Sequence, residues 1–130
     1  MNISSGSPFE SVAGYSRAVR IGQLIFVAGR TATDSEGKIH GQGDPYLQAK
    51  YIFDKIESAL NQAGAGFEDL VRTRMFVTDI SHFKEISRAH NEYFSSVRPV
   101  ATMVQVGALV SADMLVEIEA GAVLSEEKMS

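Results

Sequence analysis

Two carboxylates, Glu117 and Glu119, stand two residues apart in the segment VEIEAGAV. If this segment is a strand, alternation places both carboxylates on one side and the apolar residues Val116, Ile118 and Ala120 on the other. A carboxylate placed beside a cleft can act as a general base. A charged face opposite an apolar face is also the ordinary pattern of a half-exposed strand, so spacing alone leaves both interpretations open.

Cationic and aromatic side chains near the start of the chain could hold an anionic ligand. Arg30 directly follows the segment FVAG, and side chains at a strand end commonly line the mouth of a site. Tyr15 and Arg17 lie two residues apart, which places them on one face of the first predicted strand. A solvent-exposed strand face explains such arginines more often than a ligand site does.

The histidines do not predict a metal site. His40, His82 and His90 lack the spacing to a second histidine or carboxylate that metal-binding motifs show. His82 and Glu85 lie one turn apart, as expected for an exposed helix start. The chain contains no cysteine, which excludes a thiolate nucleophile, a disulfide framework and a cysteine-based metal site.

Length and composition predict one domain over residues 1–130, with residues 1–13 and 125–130 as peripheral tails. The net charge of −4 gives no support for a broad contact with nucleic acid or an anionic membrane. No apolar run approaches the roughly 18 residues of a membrane span, and the first ten residues do not resemble a signal peptide. We therefore expect a soluble, cytoplasmic protein.

The first half of the chain predicts a hairpin and a helix. Two β-rich runs over residues 15–28 flank Gly22, and a glycine at the first turn position suits a two-residue hairpin. Asp44 followed by Pro45 predicts a helix start. Apolar residues then recur every three or four positions over residues 46–63, and Gly64 favours a helix end.

The second half predicts a strand, a helix and two further strands. In LVRTRMFV alternation predicts one face with Val71, Thr73, Met75 and Val77, and Arg72, Arg74 and Phe76 opposite. Ser81 is the expected cap of a second helix, whose apolar residues are Phe83, Ile86, Ala89, Tyr93 and Phe94. The runs at residues 101–106 and 114–124 are expected to form a second hairpin or its near equivalent.

The predicted order ββαβαββ indicates an α+β fold with one mixed sheet and two helices on one face, because each helix has one apolar stripe to bury. The segments LIFVAG and ATMVQV are apolar on both faces. The second sheet face is therefore expected to be buried against other subunits.

Four segments, GYSRAVRIGQLIFVAG, AGAGFEDLVRTRMFVTDI, RPVATMVQV and VEIEAGAV, together resemble the Rid family of reactive-intermediate deaminases, also called the YjgF family. The resemblance covers residues 14–124. It implies a chorismate-mutase-like fold and a homotrimer with three ligand clefts between subunits. Deaminating members of this family hydrolyse enamines and imines such as 2-aminoacrylate, without a cofactor, to a 2-keto acid and ammonia.

The resemblance also implies site residues. Glu117 corresponds to the glutamate that handles water, Tyr15 to a cleft tyrosine and Gly29 to the glycine whose backbone faces the ligand. The arginine that binds the substrate carboxylate would stand two residues after Pro99, where this chain has Ala101. The neighbouring Thr102 is expected, like Tyr15, to orient the substrate.

Three further positions depart from the family pattern. Ala28 replaces a serine, Arg30 replaces a glutamine and Ser87 replaces an asparagine. Because Arg30 introduces a charge beside the ligand-facing glycine, it is the favoured replacement for the missing arginine, ahead of Arg88 and Arg98.

Three functions remain open from the sequence. The first is a cofactor-free hydrolase of small enamines, imines or related carbonyl compounds, with standard 2-imino acid activity in doubt because of Ala101. The second is a non-catalytic, metabolite-binding or regulatory trimer. The third is the ribonuclease activity of older family labels, against which the negative net charge and the lack of a histidine pair weigh.

Overall fold

One six-stranded mixed sheet organises the chain in a computed structural model that describes residues 1–129. Ser130, part of the expected C-terminal tail, lies outside the described residues. The elements in chain order are β1 (Asn2–Ile3), α1 (Pro8–Ala13), β2 (Ala18–Ile21), β3 (Leu24–Arg30), α2 (Pro45–Gln62), β4 (Leu70–Val77), α3 (Phe83–Phe94), β5 (Val100–Gln105), β6 (Val116–Val123) and α4 (Glu126–Met129).

The predicted first hairpin is confirmed. Ile21 pairs with Leu24 across a two-residue turn, and Gly22 adopts a φ of 59°, which a residue with a side chain rarely tolerates. The segment before the hairpin adds an edge strand, since Ile3 pairs with Ala18. Residues 1–13 thus contribute a short strand and a short helix beside the sheet.

Helix α2 follows its sequence signals closely. The Asp44 carboxylate accepts a hydrogen bond from the Leu47 N–H at 3.1 Å, and Pro45 opens the first turn. Gly64, with a φ of 87°, follows the end of the helix. The buried side chains Ile52, Phe53, Ile56 and Leu60 cover the sheet, and each contributes about 1.5–3 kcal/mol through burial.

The expected hairpin between the last two strands is wrong. The sheet order is β1-β2-β3-β6-β4-β5, so β6 lies in the interior, antiparallel to both β3 and β4. Strand β5 is parallel to β4 at the opposite edge, and α3 forms the connection that a parallel pair requires. Alternate residues of β6 are buried, as expected for an interior strand with one face on the core, whereas β5 at the edge is largely exposed.

The predicted inward face of β4 is correct except at its first residue. Thr73, Met75 and Val77 are buried, but Val71 is 46% exposed. The pairing with β6 shifts between Leu70 and Arg72, and this irregularity turns Leu70 toward the core in place of Val71.

Helix α3 starts differently from the prediction. The Asp79 carboxylate, rather than Ser81, accepts a backbone hydrogen bond, and a 3₁₀ turn over Ile80–His82 precedes the helix. The helix buries Ile86, Ala89 and Phe94, whereas Phe83 is 54% exposed. Phe83 is the first residue of the helix and lies outside its buried stripe.

The two long helices cover one face of the sheet, and the other face is open in the single chain. Phe53 of α2 packs edge-to-face on Phe94 of α3, with ring centroids 5.0 Å apart. On the open face, large apolar side chains of three strands are 40–64% exposed: Leu24, Phe26, Val100, Val104 and Val123. A surface with this many apolar side chains is typical of one that another subunit covers.

Candidate functional site

Four of the predicted site residues line one cavity of about 730 Å³. Tyr15, Gly29, Arg30 and Glu117 all line it, together with the N-terminal segment, the loop after β3 and one side of α2. These four residues come from three separate parts of the sequence. The structure therefore brings together the predicted base, the predicted aromatic residue and the favoured cation.

Glu117 lies directly against Gly29. A Cβ atom built on Gly29 would stand 3.1 Å from the carboxyl carbon of Glu117 and would overlap its Oε2. Only a glycine leaves room for the carboxylate at this point. The pairing of β3 with β6 is irregular between Val27 and Arg30, and this irregularity places Gly29 opposite the carboxylate.

The environment of Glu117 favours its neutral form. Burial raises the pKa of Glu117, the negative charge of Glu119 raises it further, and the charge of Arg17 opposes both effects. Glu119 itself pairs with Arg74 at 3.1 Å on the open sheet face. A carboxyl group with a raised pKa can both accept and return a proton nearer neutral pH than an ordinary glutamate.

Arg30 is half-buried in the cavity wall. Its Nη2 donates a hydrogen bond to the Thr33 carbonyl oxygen at 3.2 Å. Burial and the neighbouring positive charge of Arg17 lower the pKa of Arg30, while Tyr51 acts in the opposite direction. Arg30 and Gly29 thus line the same cavity, as expected from their adjacent places in the sequence.

Arg17 lines the same cavity but was not among the site residues predicted from the sequence. It was interpreted as part of an exposed strand face, but it is only 8% exposed and lies just before β2. Its Nη1 donates to the Gly29 carbonyl oxygen at 3.0 Å, and its guanidinium lies 5.9 Å from the ring centroid of Tyr15. The two-residue spacing from Tyr15 was the available signal, because it placed both side chains on one face.

Neither Ala101 nor Thr102 lines the cavity that contains Glu117 within one chain. Ala101 lines a second cavity of about 660 Å³ between α3 and β5. Thr102 pairs with Arg74 and so lies on the open sheet face. A single subunit therefore does not unite these two residues with the other predicted site residues.

The second cavity carries its own polar groups. Ser87, His90 and Asn91 of α3 line it, as does Arg98, whose φ of 55° is unusual for a residue with a side chain. His90 is hydrogen-bonded to Thr73 at 2.9 Å, and burial lowers its pKa. These groups give this cavity a polar wall opposite Ala101.

Arg88 and His40, two further candidate residues from the sequence, make contacts outside the predicted site. The Arg88 guanidinium lies over the Tyr46 ring, 3.9 Å from its centroid, and lines neither cavity. His40 stacks on Tyr51 and is hydrogen-bonded to Asp34. Within residues 1–129 no three histidine, aspartate or glutamate side chains are grouped as metal ligands would be.

A family model described as "Endoribonuclease L-PSP" matches residues 6–124, nearly the whole chain. The chain belongs to this family. The solved structure of Rv2704 from Mycobacterium tuberculosis, a member of the YjgF/YER057c/UK114 family, superposes with a TM-score of 0.87. It is 48% identical in sequence, and the match covers 95% of this chain and 98% of Rv2704. The resemblance to the YjgF (Rid) family and the α+β fold are thereby confirmed.

Two proteins similar to this chain differ in what their names state. "Uncharacterized protein SCO2049" of Streptomyces coelicolor is 38% identical over 117 residues, which are 90% of this chain and 87% of that protein. "3-aminoacrylate deaminase RutC" of Acinetobacter baylyi is 29% identical over 116 residues, which are 89% of this chain and 90% of that protein. One of the proteins similar to this chain is thus named as a deaminase. Separately, none of the helices within residues 1–129 has the length and apolar character needed to cross a membrane.

Proposed function

We propose that this protein is a cofactor-free hydrolase, or deaminase, of small enamines, imines or related carbonyl compounds. The observation that carries the proposal is the Glu117 carboxylate, which lies against Gly29 in a cavity wall and has a raised pKa. The similarity to a 3-aminoacrylate deaminase supports the same reaction class.

In the proposed reaction, ionised Glu117 accepts a proton from water as the water oxygen adds to the carbon of the protonated imine. The C=N double bond becomes a single bond in the resulting amino alcohol. Glu117 then returns the proton to nitrogen. As the C–N bond breaks, Glu117 accepts the hydroxyl proton and the C=O bond forms; the departing ammonia takes up this proton and leaves as ammonium, which restores ionised Glu117. Tyr15 or Thr102 would orient the substrate, and Arg30 would hold its carboxylate. Neither a metal nor an organic cofactor takes part.

The proposed working form is a homotrimer with a ligand cleft at each subunit boundary. The open sheet face, with Phe26 and Val104 exposed, supplies an apolar surface for such an assembly. The cavity containing Glu117 and the cavity containing Ala101 lie apart in one chain. In the proposed trimer they form opposite walls of one cleft, the second wall being contributed by a neighbouring subunit.

Ala101 favours a second candidate, a trimer that binds a metabolite or regulates a partner without catalysis. Loss of a charge-assisted hydrogen bond to a carboxylate removes about 1.5–3 kcal/mol of binding, or roughly 10- to 150-fold in affinity. Arg30 would have to supply this interaction for a 2-imino acid to bind well. If it does not, the cleft retains Glu117 but turns over such substrates poorly.

The test generates 2-aminoacrylate in situ and follows its loss with wild type, Ala101→Arg and Glu117→Ala. The proposal predicts that wild type accelerates imine loss and that Glu117→Ala abolishes the acceleration. Activity only in Ala101→Arg would eliminate 2-imino acid deamination by the natural chain and favour the binding protein. Ribonuclease activity is not proposed, because the net charge is −4 and the sequence offers no histidine pair.

A further inference from the structure

Arg17 connects the N-terminal segment to the end of β3. Its backbone N–H donates to the Ile3 carbonyl oxygen at 2.7 Å, and its own carbonyl oxygen accepts from the Ala28 N–H at 2.9 Å. The side chain is more than nine-tenths buried, and its Nη1 donates to the Gly29 carbonyl oxygen at 3.0 Å. The backbone of Arg17 is therefore bonded on both sides, and its guanidinium holds the carbonyl group of Gly29.

The position of Gly29 in turn restricts the position of Glu117. A Cβ atom on Gly29 would stand 3.1 Å from the carboxyl carbon of Glu117 and 3.3 Å from its Cγ, so the side chain lies against the Gly29 backbone. A shift of Gly29 would change the space that the carboxylate occupies. Because Nη1 of Arg17 holds Gly29, Arg17 is linked to Glu117 through this glycine.

A second carboxylate, that of Glu10, compensates the buried charge of Arg17. Glu10 is 7% exposed, and its carboxylate accepts hydrogen bonds from the backbone N–H and the hydroxyl of Ser5. Burial raises the pKa of Glu10, but the hydrogen bonds from Ser5 and the charge of Arg17 outweigh this effect and lower it overall. Burying a charge is costly unless it is compensated, and Glu10 reduces this cost for Arg17.

The charge of Arg17 also acts on Glu117. Within residues 1–129, burial and the charge of Glu119 raise the pKa of Glu117, and the charge of Arg17 lowers it. The remaining ionisable side chains of the cavity wall do not contribute to this pKa: Tyr15, Arg30, Asp34, Glu36, Tyr51 and Lys55. Arg17 is thus the cation of this wall that favours ionised Glu117.

We infer that Arg17 is a positioning residue for Glu117, the proposed base, and that Glu10 stabilises the buried charge of Arg17. Arg17 places the carboxylate through Gly29 and favours its ionised form, which is the form that accepts a proton from water. This inference rests on the proposed function and deepens it, because it extends the functional residues from Glu117 to the N-terminal segment.

The first test compares pH–rate profiles of wild type, Arg17→Gln and Arg17→Lys, with kcat/KM for 2-aminoacrylate corrected for the buffer rate at each pH. Arg17→Gln removes the positive charge, so the midpoint of the profile should move to higher pH. Its plateau should fall about 100-fold, as for a misplacement of about 1 Å. Arg17→Lys retains the charge, so its midpoint should stay closer to that of wild type. An unmoved midpoint in Arg17→Gln, or equal shifts in both variants, would overturn the inference.

Arg20→Gln is the matched control for this test. Arg20 also donates to backbone carbonyl oxygens, those of Gly22 and Ala63, but it does not line the cavity. Its loss removes the same charge and similar hydrogen bonds, and should leave the midpoint where it is in wild type. A shift equal to that of Arg17→Gln would show that the midpoint follows the net charge rather than the place of Arg17.

The second test measures the coupling of Glu10 and Arg17 with a double-mutant cycle. Glu10→Gln and Arg17→Gln should each lower the melting temperature, because each leaves a buried charge without its compensating partner. The double variant should lose less than the sum of the two single losses, since residues that interact are not additive. Additive losses would contradict the stabilisation of Arg17 by Glu10.

An NMR titration of the Glu117 carboxyl carbon separates this inference from the hydrolase proposal, because it requires no turnover. A titration midpoint that is higher in Arg17→Gln than in wild type, without turnover of 2-aminoacrylate by wild type, would support the action of Arg17 on Glu117 and reject hydrolysis. Turnover that depends on Glu117, with the same midpoint and rate in wild type and Arg17→Gln, would support hydrolysis and reject the role of Arg17.

Discussion

Replacing Gly29 by alanine should displace Glu117 without unfolding the protein. The new Cβ would stand 3.1 Å from the carboxyl carbon of Glu117 and 3.3 Å from its Cγ, and would overlap Oε2. Because carbon atoms pack at about 3.5–4.0 Å, the carboxylate must move by about 1 Å. A misplacement of about 1 Å at a reacting group can cost about 100-fold in rate.

The fold should tolerate this substitution. The carboxylate is the flexible end of a side chain, so it can move aside, and Gly29 does not require the left-handed conformation. Replacing glycine by alanine at a compatible site changes stability by about 0.4–1 kcal/mol, in the stabilising direction. We therefore expect a melting temperature close to that of wild type together with a kcat/KM for 2-aminoacrylate about 100-fold lower.

Gly107→Ala is the matched control, because a Cβ at Gly107 meets no atom within 4 Å. It should retain the wild-type rate. A Gly29→Ala protein with unimpaired turnover would refute the claim that this contact positions the carboxylate. Equal losses in both variants would point instead to a general effect of removing glycine.

Three further predictions concern the base, the assembly and the core. Since the pKa of Glu117 is raised, kcat/KM should rise with pH through that elevated pKa, and Glu119→Gln should move the midpoint to lower pH in a pH–rate profile; an unmoved midpoint would exclude Glu119 as a cause. Phe26→Glu should convert trimers to smaller species in light scattering, whereas the exposed Val12→Glu should not; an intact Phe26→Glu trimer would contradict an interface on the open sheet face. Gln48→Leu should lower the free energy of unfolding by about 1–3 kcal/mol, because it leaves the part-buried Leu115 N–H without its acceptor; denaturant unfolding with no loss would contradict this.

Elements defined by short-range rules could be predicted from the sequence. Helix α2 has a capping aspartate, a proline in its first turn, a regular apolar stripe and a glycine after its end, and each of these acts within a few residues. The Gly22 turn is fixed locally in the same way. The structure confirms both elements because neither depends on distant contacts.

Long-range pairing explains the errors. A hairpin between the last two strands is the simplest arrangement of neighbouring segments, but β6 pairs with β3 and β4, and its position depends on how all their faces are buried. The exposure of Val71 follows from an irregular pairing with β6 that no property of β4 alone reveals.

The candidate site was predictable only in part. Glu117, Gly29, Tyr15 and Arg30 were selected through the family resemblance, and the structure places all four in one cavity. Arg17 escaped selection because arginines near strand ends are usually exposed, and its burial arises from contacts with a segment twelve residues away. The distance between Ala101 and this cavity in one chain is equally invisible in the sequence.

The central claim is that Glu117 activates water without a cofactor, and the rate of 2-aminoacrylate loss measures it directly. Wild type and Glu117→Gln would be compared with buffer alone, after both proteins have been treated with a chelator and desalted. General-base catalysis contributes about 10²- to 10⁴-fold. We therefore predict that wild type accelerates 2-aminoacrylate loss over the buffer rate. The acceleration by Glu117→Gln should be at least 100-fold smaller than that by wild type. Equal rates for the two proteins would contradict the assignment of Glu117 as the base.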